Sequence, residues 1–481
     1  MTGLWAMGYG LRAGTLARLT WTARAACFAL AIAVAGCASA PPASAPSGVP
    51  GVQQAQLQPE FWIAQATRPD SLILDANAIA AQNTKLRQLD RSVHDVEHLP
   101  ATLTAADVNR WISSLSSRPE QALFDAQGRE VNAQTLDELM TSINAEAVPA
   151  SQSTRYGLVV RRADVRTFPT RLRVFSTPDN TDVDRFQESA LFPGTPVAIV
   201  HASRDGQWWF VVSPLYAAWI EKNAVAEGSA AQVFGYTRKS PYLVVTGAKA
   251  RTVYTPERPE VSDLQLEMGV RVPVVSDWPA DKPVNGQHPY TAHVIELPYR
   301  AQDGSLSFTP ALLPRTDDVA ADYLPLTQSN VLRQGFKFLG ERYGWGHSYN
   351  TRDCSGFVSE VYRSFGVQLP RNTRDQGVSP ALNRIAFTAD DTHEARLAIL
   401  RQLHVGDLVY IPGHVMMVIG HDDQGLPYII HDTTGISYRD GGGDIIRAHL
   451  NGVSVTQLVP LLVGDGQPMI DRIYSVQRIR R

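Results

Sequence analysis

The spacing of hydrophobic residues changes along the chain and divides it into helical and strand-rich parts. Within residues 61–155, the segments 72–89 and 104–115 carry apolar residues at the spacing of one helix face. Thr104, followed three residues later by Asp107, favours a capped helix start. No chemically suggestive cluster occurs here, so residues 61–155 are interpreted as a helical supporting domain.

From residue 156 onward the pattern consists of short β-rich runs separated by Pro, Gly, Asn and Asp. Runs bounded by such turn residues predict antiparallel strands. The predicted strands are 157–160, 196–200, 208–212 and 216–220, then 242–245, 270–275 and 291–295 in a looser second group. We therefore expect two small β-barrels, at 156–230 and 231–325, which alone would indicate only binding modules.

The last part, residues 326–481, mixes both patterns and is predicted to be an α+β domain. Its predicted elements are a helix over 330–343, a loop over 344–352, a helix from Cys354 that ends near Gly366, and strands at 405–411, 414–419 and 428–430.

The N-terminal 36 residues contain Arg but no Asp or Glu, and residues 25–35 are an apolar run. Such a segment is typical of an export signal and is too short for a stable membrane span. The run ends in Val34-Ala35-Gly36-Cys37, which resembles the lipobox of bacterial lipoproteins. The resemblance implies a signal peptide over 1–36 and acylation of Cys37, and the alternative is plain secretory cleavage near residues 38–40.

Residues 37–60 begin with a tract rich in Pro, Ala and Ser, which suits a flexible tether and cannot form a packed core. Ala38 follows the Cys, and by resemblance to Gram-negative lipoproteins this favours the outer membrane. We therefore expect a lipid-anchored envelope protein that faces the periplasm.

The composition of the chain excludes a single-domain protein and a general nucleic-acid-binding protein. The chain of 481 residues is too long for one core, and its net charge of −3 without a Lys/Arg run gives no general affinity for nucleic acid. Of its three cysteines, Cys27 and Cys37 lie in the export region, so Cys354 is a lone thiol in the folded body. We expect a monomer without an intrachain disulfide.

The neighbours of Cys354 favour a reactive thiol over an inert buried one. Asp353 can cap the helix that follows, which places Cys354 in the first turn. The positive end of the helix dipole and the unpaired N–H groups there would lower the pKa of the thiol and stabilise an oxyanion.

A thiolate nucleophile needs an imidazole partner. His414 begins a predicted strand after a Pro-Gly turn, and His431 ends the next strand, where it can orient His414 as the third member of a triad. A zinc site of Cys354, His414 and His431 is the alternative, but neither a second Cys nor an HExxH pair supports it. No metal or organic cofactor is expected.

The motifs of the last third resemble those of the NlpC/P60 cysteine peptidases. They are Tyr343-Gly-Trp-Gly, Arg352-Asp-Cys-Ser-Gly-Phe-Val, Leu369-Pro-Arg-Asn-Thr-Arg-Asp-Gln, Val405-Gly-Asp-Leu-Val-Tyr, Gly413-His-Val-Met-Met-Val-Ile-Gly and Ile429-Ile-His-Asp. The resemblance implies a papain-like α+β domain with a Cys-His-His triad, preceded by a clip domain and two bacterial SH3 domains. Tyr216-x-x-Trp-Ile resembles the last strand of such an SH3 domain. One departure is His347, which stands where many members have a second Gly, and no role is assigned to it.

The order of a clip domain, two SH3 domains and a peptidase domain resembles one branch of this family. That branch hydrolyses the γ-D-glutamyl–diamino acid bond of peptidoglycan stem peptides, and some of its members require a free N-terminal L-Ala. The matching substrate-binding positions are Asp353, Ser355, Thr373, Tyr216 and Glu188. A carboxylate such as Asp353 suits an α-ammonium group, and it can cap the helix as well. Tyr216 has an equally natural interpretation as a core residue of the barrel.

Two other functions remain open at this stage. One is a non-catalytic wall-binding lipoprotein with a peptidase-like fold, against which the intact Cys354, His414 and His431 argue. The other is amidase or acyltransferase chemistry on the same fold, which the identity of the products would distinguish.

Overall fold

The computed structural model describes residues 47–480. The expected signal peptide, the acylation of Cys37 and the first part of the tether lie outside these residues. Between residues 47 and 480, no helix has the length and apolar character needed to span a membrane.

The first described segment contains short helices and strands. They are α1 (Pro59–Gln65), β1 (Leu72–Leu74), α2 (Ala76–Leu89), β2 (Thr102–Thr104), α3 (Ala105–Leu115), α4 (Ala133–Ser142) and β3 (Ser151–Ser153). The predicted helix over 104–115 is confirmed, and Thr104 and Asp107 form its capping box. The helix predicted over 72–89 begins only at Ala76, because residues 72–74 pair as a strand with a later segment and Asp75 caps the helix.

This segment packs onto two different neighbours. Val52 and Trp62 are buried in a core shared with the last domain, whereas Val108 and Ile112 are buried against the first β-domain. The indole N–H of Trp219 also donates to Ser116 Oγ at 3.0 Å. The helical part therefore connects the first β-domain to the last domain.

The first β-domain is a sheet of seven strands in the order β10-β4-β7-β8-β9-β5-β6. The strands are β4 (Arg155–Val159), β5 (Ala163–Arg166), β6 (Gln187–Leu191), β7 (Pro196–Ala202), β8 (Trp208–Val212), β9 (Ala217–Glu221) and β10 (Val225–Gly228). The predicted strand over 208–212 coincides with β8, and the other three predictions overlap β4, β7 and β9.

After α5 (Ala230–Thr237) the second β-domain follows, with smaller sheets. Its strands are β11 (Tyr242–Val245), β12 (Lys249–Arg251), β13 (Gln265–Glu267), β14 (Arg271–Pro273), β15 (Ala292–Arg300), β16 (Leu306–Pro314) and β17 (Val319–Ala320). All three strands predicted here are found, although β15 is longer than predicted.

The last domain combines helices with a sheet of six strands in the order β19-β26-β20-β21-β22-β25. Its elements are β18 (Leu326–Thr327), α6 (Gln328–Phe336), α7 (Cys354–Arg363), α8 (Thr373–Val378), β19 (Asn383–Ala386), α9 (His393–Leu400), β20 (Leu408–Ile411), β21 (His414–His421), β22 (Pro427–Thr433), β23 (Ile436–Arg439), β24 (Ile445–Ala448), β25 (Gly452–Gln457) and β26 (Ser475–Arg478). The α+β class is confirmed. The helix predicted over 330–343 ends at Phe336, and residues 337–340 continue as hydrogen-bonded turns up to Gly340, where φ is +81°.

Helix α7 packs its apolar face on the sheet, so that its first residue lies beside the start of β21. Phe357, Val358 and Val361 on this face are fully buried together with Met417 of β21. Gly366 has φ of +77°, as its position after the helix predicts, and Val367 N–H donates to Tyr362 O at 3.1 Å. Packing and capping thus fix both ends of the element that carries the thiol.

Candidate active site

Cys354 is the first residue of α7 and is 5% exposed. Asp353 is the N-cap, and its carboxylate accepts from Gly356 N–H at 2.8 Å. The sulfur lies 3.6 Å from Thr373 Oγ1, and it lies near the backbone N–H of Val415, the residue after His414. The predicted position of the thiol in the first helical turn is therefore confirmed.

The expected direction of its pKa is wrong. Burial, followed by the charge of Asp353, raises the pKa of the Cys354 thiol to about 12, although the Thr373 hydroxyl and the Val415 N–H act in the opposite direction. Burial also lowers the pKa of His414 to about 4. At neutral pH the thiol is therefore protonated and the imidazole is neutral in the free protein, because burial disfavours the charged form of each group.

His414 and His431 contact each other on the same face of the sheet. His414 Nε2 lies 2.8 Å from His431 Nδ1, and His431 Nε2 lies 3.2 Å from Thr456 Oγ1. His431 is in the interior of β22 rather than at the end of its strand, because β22 continues to Thr433. The antiparallel register, with Met417 opposite Ile430, makes the two histidines diagonal neighbours.

Thr456 extends the histidine pair into a chain of hydrogen bonds, whose direction sets which nitrogen of each ring carries the proton. If His414 Nε2–H donates to His431 Nδ1, then His431 Nε2–H donates to the Thr456 hydroxyl. This leaves His414 Nδ1 unprotonated and able to accept a proton. Sequence reasoning missed Thr456, because it lies on β25 outside every motif and becomes a neighbour of His431 only through strand pairing.

Asp353 is buried and its oxygens are already occupied. Arg371 donates to both of them, at 3.2 and 2.8 Å, and the N–H of Gly346 donates to Oδ2 at 3.0 Å. Ser355 is buried too and accepts from Arg371 at 2.8 Å. Arg371, which sequence reasoning did not single out, thus ties Asp353 and Ser355 together and compensates the carboxylate charge.

Glu188 and Tyr216 meet on the first β-domain. The Tyr216 hydroxyl donates to Glu188 Oε2 in a short hydrogen bond, and Thr167 Oγ1 donates to Oε1 at 2.6 Å. Glu188 is half-buried on β6, and the neighbouring Ser189 accepts from Arg371 Nε at 2.6 Å. Burial, followed by the charge of Glu188, raises the pKa of Tyr216 well above its usual value. The structure thus brings this pair close to the residues around Cys354.

The same strand holds the loop that leads to the thiol. Gln187 Nε2 donates to Gly346 O at 2.8 Å, and the indole N–H of Trp345 donates to Gln187 O at 3.1 Å. Residues 345–350 form irregular 3₁₀ turns in which His347 and Tyr349 have φ of +66° and +62°. Since such values are unusual for residues other than Gly, the contacts with the first β-domain help to fix this loop.

Two further groups, the half-buried Tyr343 and the buried Asp432, interact with the thiol and were not predicted. Burial and the charges of Cys354 and Asp353 raise the pKa of Tyr343 well above its usual value, which indicates that the phenol lies near both groups. Asp432, next to His431, is fully buried, neither of its oxygens has a hydrogen-bond partner, and burial raises its pKa strongly. Burial thus favours the uncharged form of the Asp432 carboxyl group.

Across residues 47–480, no group of three or more His, Cys, Asp or Glu side chains is arranged to hold a metal ion. Fold and site together define the class of this domain. It is an α+β domain in which a thiol at a helix start lies beside an antiparallel sheet that carries paired histidines.

Comparison with known proteins agrees with this class. Residues 340–458 match the model of the NlpC/P60 family, and residues 173–221 match the model of an SH3 domain of the SH3b1 type. The fold resembles an NlpC/P60 endopeptidase from Photobacterium damselae subsp. piscicida, with a TM-score of 0.65, 17% sequence identity, and coverage of 83% of this chain and 90% of that chain.

A curated relative is the γ-D-glutamyl-L-lysine dipeptidyl-peptidase of Bacillus cereus, which is 25% identical over 261 residues. The alignment spans 50% of this chain and 66% of the relative, just under two thirds of its length. The protein therefore carries an NlpC/P60 domain together with an SH3 domain of the SH3b1 type.

Proposed function

We propose that the protein hydrolyses the γ-D-glutamyl–diamino acid bond of peptidoglycan stem peptides and prefers a free N-terminal L-Ala. The observation that carries this proposal is the His414–His431 pair beside the buried Cys354, with Glu188 and Tyr216 nearby on the first β-domain. The relative from Bacillus cereus is named for a γ-D-glutamyl-L-lysine bond, which supports the same substrate class.

In the proposed reaction the Cys354 thiol transfers its proton to His414 Nδ1 as the sulfur attacks the γ-glutamyl carbonyl carbon. The N–H groups at the start of α7 stabilise the oxyanion. The His414 imidazolium protonates the amine of the departing diamino acid, and a thioester remains on Cys354. Water then gives a proton to His414 and attacks the thioester, which releases the γ-glutamyl carboxylate and restores the thiol.

We assign recognition of the substrate ammonium group chiefly to Glu188. The Asp353 carboxylate is neutralised by Arg371, whereas Glu188 is held only by two neutral hydroxyl groups, those of Thr167 and Tyr216. A carboxylate held in this way keeps its negative charge for an ammonium ligand. Asp353 and Ser355 then shape the site beside it, and Thr373 contacts the sulfur.

We further propose that the chain is a monomeric lipoprotein, anchored through Cys37 in the outer membrane and facing the periplasm. The proposed organisation is a tether over 37–60, a clip domain over 61–155, SH3-like domains over 156–230 and 231–325, and the peptidase domain over 326–481. The packing of residues 47–153 on both neighbours supports the function of a clip.

The test uses L-Ala-γ-D-Glu-diaminopimelate and the same peptide attached to muramic acid, with products identified by mass spectrometry. Cys354→Ala serves as the control. Cleavage of the free peptide alone, absent in the control, supports an endopeptidase gated by the amine site. Cleavage of both peptides removes the L-Ala preference. If folded protein cleaves neither, the proposal fails and a wall-binding function is favoured.

A further inference from the structure

His347 lies buried between two charged groups and is 3% exposed. Its Nε2 lies 3.0 Å from Glu360 Oε1, and its Nδ1 lies 2.9 Å from Arg371 Nη2. The ring also meets Phe192 of the first β-domain edge to face, with centroids 5.6 Å apart. Arg162 of the same domain donates to the His347 carbonyl at 2.5 Å.

These contacts determine one protonation state. The Arg371 guanidinium has only donors, so His347 Nδ1 must accept, and Nε2–H must donate to the Glu360 carboxylate. Burial, followed by the charge of Arg371, lowers the pKa of His347 to about 4. The ring is therefore neutral near pH 7.

We propose that His347 is a positioning residue. Its neutral ring, protonated at Nε2, separates Glu360 from Arg371, and this keeps the Arg371 guanidinium paired with Asp353 at the start of α7. The inference deepens the proposed function, since it rests on Cys354 as the nucleophile. It gives a role to the one motif position at which this chain departs from the pattern of its family.

The physical reason is that Arg371 lies between two buried carboxylates, Asp353 on one side and Glu360 beyond the imidazole on the other. Glu360 is fully buried and forms ion pairs with Arg352 and Arg363 at 3.1 and 3.7 Å, but the hydrogen bond to its Oε1 comes from His347. If the imidazole were removed, Arg371 and Glu360 would face each other across the vacated volume, where an opposite charge attracts strongly. Arg371 would then move towards Glu360 and leave the charge of Asp353 uncompensated next to the thiol.

That movement has a measurable effect on Cys354. Arg371 and Asp353 both interact electrostatically with the thiol, and Asp353 raises its pKa. We expect His347→Ala to slow alkylation of Cys354 by iodoacetamide at pH 8 by roughly 3- to 10-fold, because a lost compensating charge raises a thiol pKa. The ring-sized His347→Phe fills the volume between Arg371 and Glu360 and should slow alkylation less. We also expect kcat to fall with little change in KM.

His347→Gln is the matched control, because its amide supplies one acceptor and one donor without charge. It should alkylate within about threefold of the unaltered chain. The full-length protein is used, and mass spectrometry follows the peptide that contains Cys354, so other cysteines do not interfere. An unaltered rate in His347→Ala, or equal slowing in His347→Gln, would overturn the proposal.

NMR spectroscopy of the unaltered protein tests the proposed tautomer of His347 directly. In ¹⁵N-histidine-labelled protein at pH 7, the His347 resonances, assigned by their loss in His347→Gln, should show the neutral Nε2–H tautomer. A cationic ring or the Nδ1–H tautomer would refute the proposed contacts. Neither measurement uses a peptide, so a failure to cleave stem peptides would count against the proposed function and leave this test intact.

Discussion

The substitution Glu188→Gln tests how the substrate amine is recognised. Thr167 and Tyr216 already donate to the two carboxylate oxygens, so the side chain is held in place before substrate arrives. A hydrogen bond between charged groups contributes about 1.5–3 kcal/mol, and losing the charge should lower kcat/KM for a free-amine peptide by roughly 10- to 150-fold. The amide keeps the size of the side chain, so little cleft rearrangement is expected.

The assay compares L-Ala-γ-D-Glu-diaminopimelate with its N-acetylated form, in the unaltered protein and in Glu188→Gln. The acetylated peptide has no ammonium group, so its slower cleavage should change by less than about threefold. Tyr216→Phe is a second variant that removes one donor from Glu188 and keeps the carboxylate, so its effect should be smaller.

Two results would refute this reasoning. Equal losses on both peptides would mean that Glu188 maintains the cleft rather than binding the amine. If Glu188→Gln cleaves the free peptide at an unchanged rate, Glu188 does not bind the ammonium group, and Asp353 would be the better candidate despite its pairing with Arg371.

Three further predictions concern the thiol, the histidine pair and acid stability. Thr456→Val should lower kcat about 10-fold by removing the hydroxyl that forms a hydrogen bond with His431 Nε2, whereas Thr456→Ser should retain most activity; equal effects in steady-state kinetics would contradict this. Because burial raises the pKa of Cys354 to about 12, iodoacetamide at pH 7 should alkylate it roughly 10²- to 10³-fold more slowly than N-acetylcysteine, and a comparable rate would disprove the neutral resting state. In the folded protein the pKa of His347 is lowered to about 4, whereas in the unfolded chain a histidine has its ordinary pKa of about 6.5. Between these two pH values the unfolded state binds more protons, so the free energy of unfolding should fall by about 1.4 kcal/mol for each pH unit as the pH is lowered from 6.5 to 4. Urea unfolding should show a shallower decline in His347→Gln, and an identical decline would refute that contribution.

Local sequence patterns predicted the elements that carry the site. The position of Cys354 followed from a short-range signal, since Asp353 caps the helix and the apolar face of α7 has a regular period. The turn at Gly413 between two apolar strands likewise predicted where His414 lies. Such signals depend on neighbours within a few residues, and the sequence contains them in full.

The errors have a common cause in contacts between distant segments. Residues 72–74 form a strand because they pair with residues 326–327, and β22 continues past His431 because it pairs with β25. The thiol pKa was expected to fall because a helix start is visible in the sequence, whereas the burial that raises it is created by packing.

The sequence by itself determined which residues can do chemistry and on which elements they stand: Cys354 at a helix start, and His414 and His431 on neighbouring strands. The tertiary structure decided how those groups are protonated and held. Arg371 compensates Asp353, Thr456 orients His431, and His347 separates Arg371 from Glu360, through contacts between residues 13 to 25 positions apart. Hydrogen bonds and desolvation act over a few ångströms in space, so their effect on a site becomes defined only when the chain has folded.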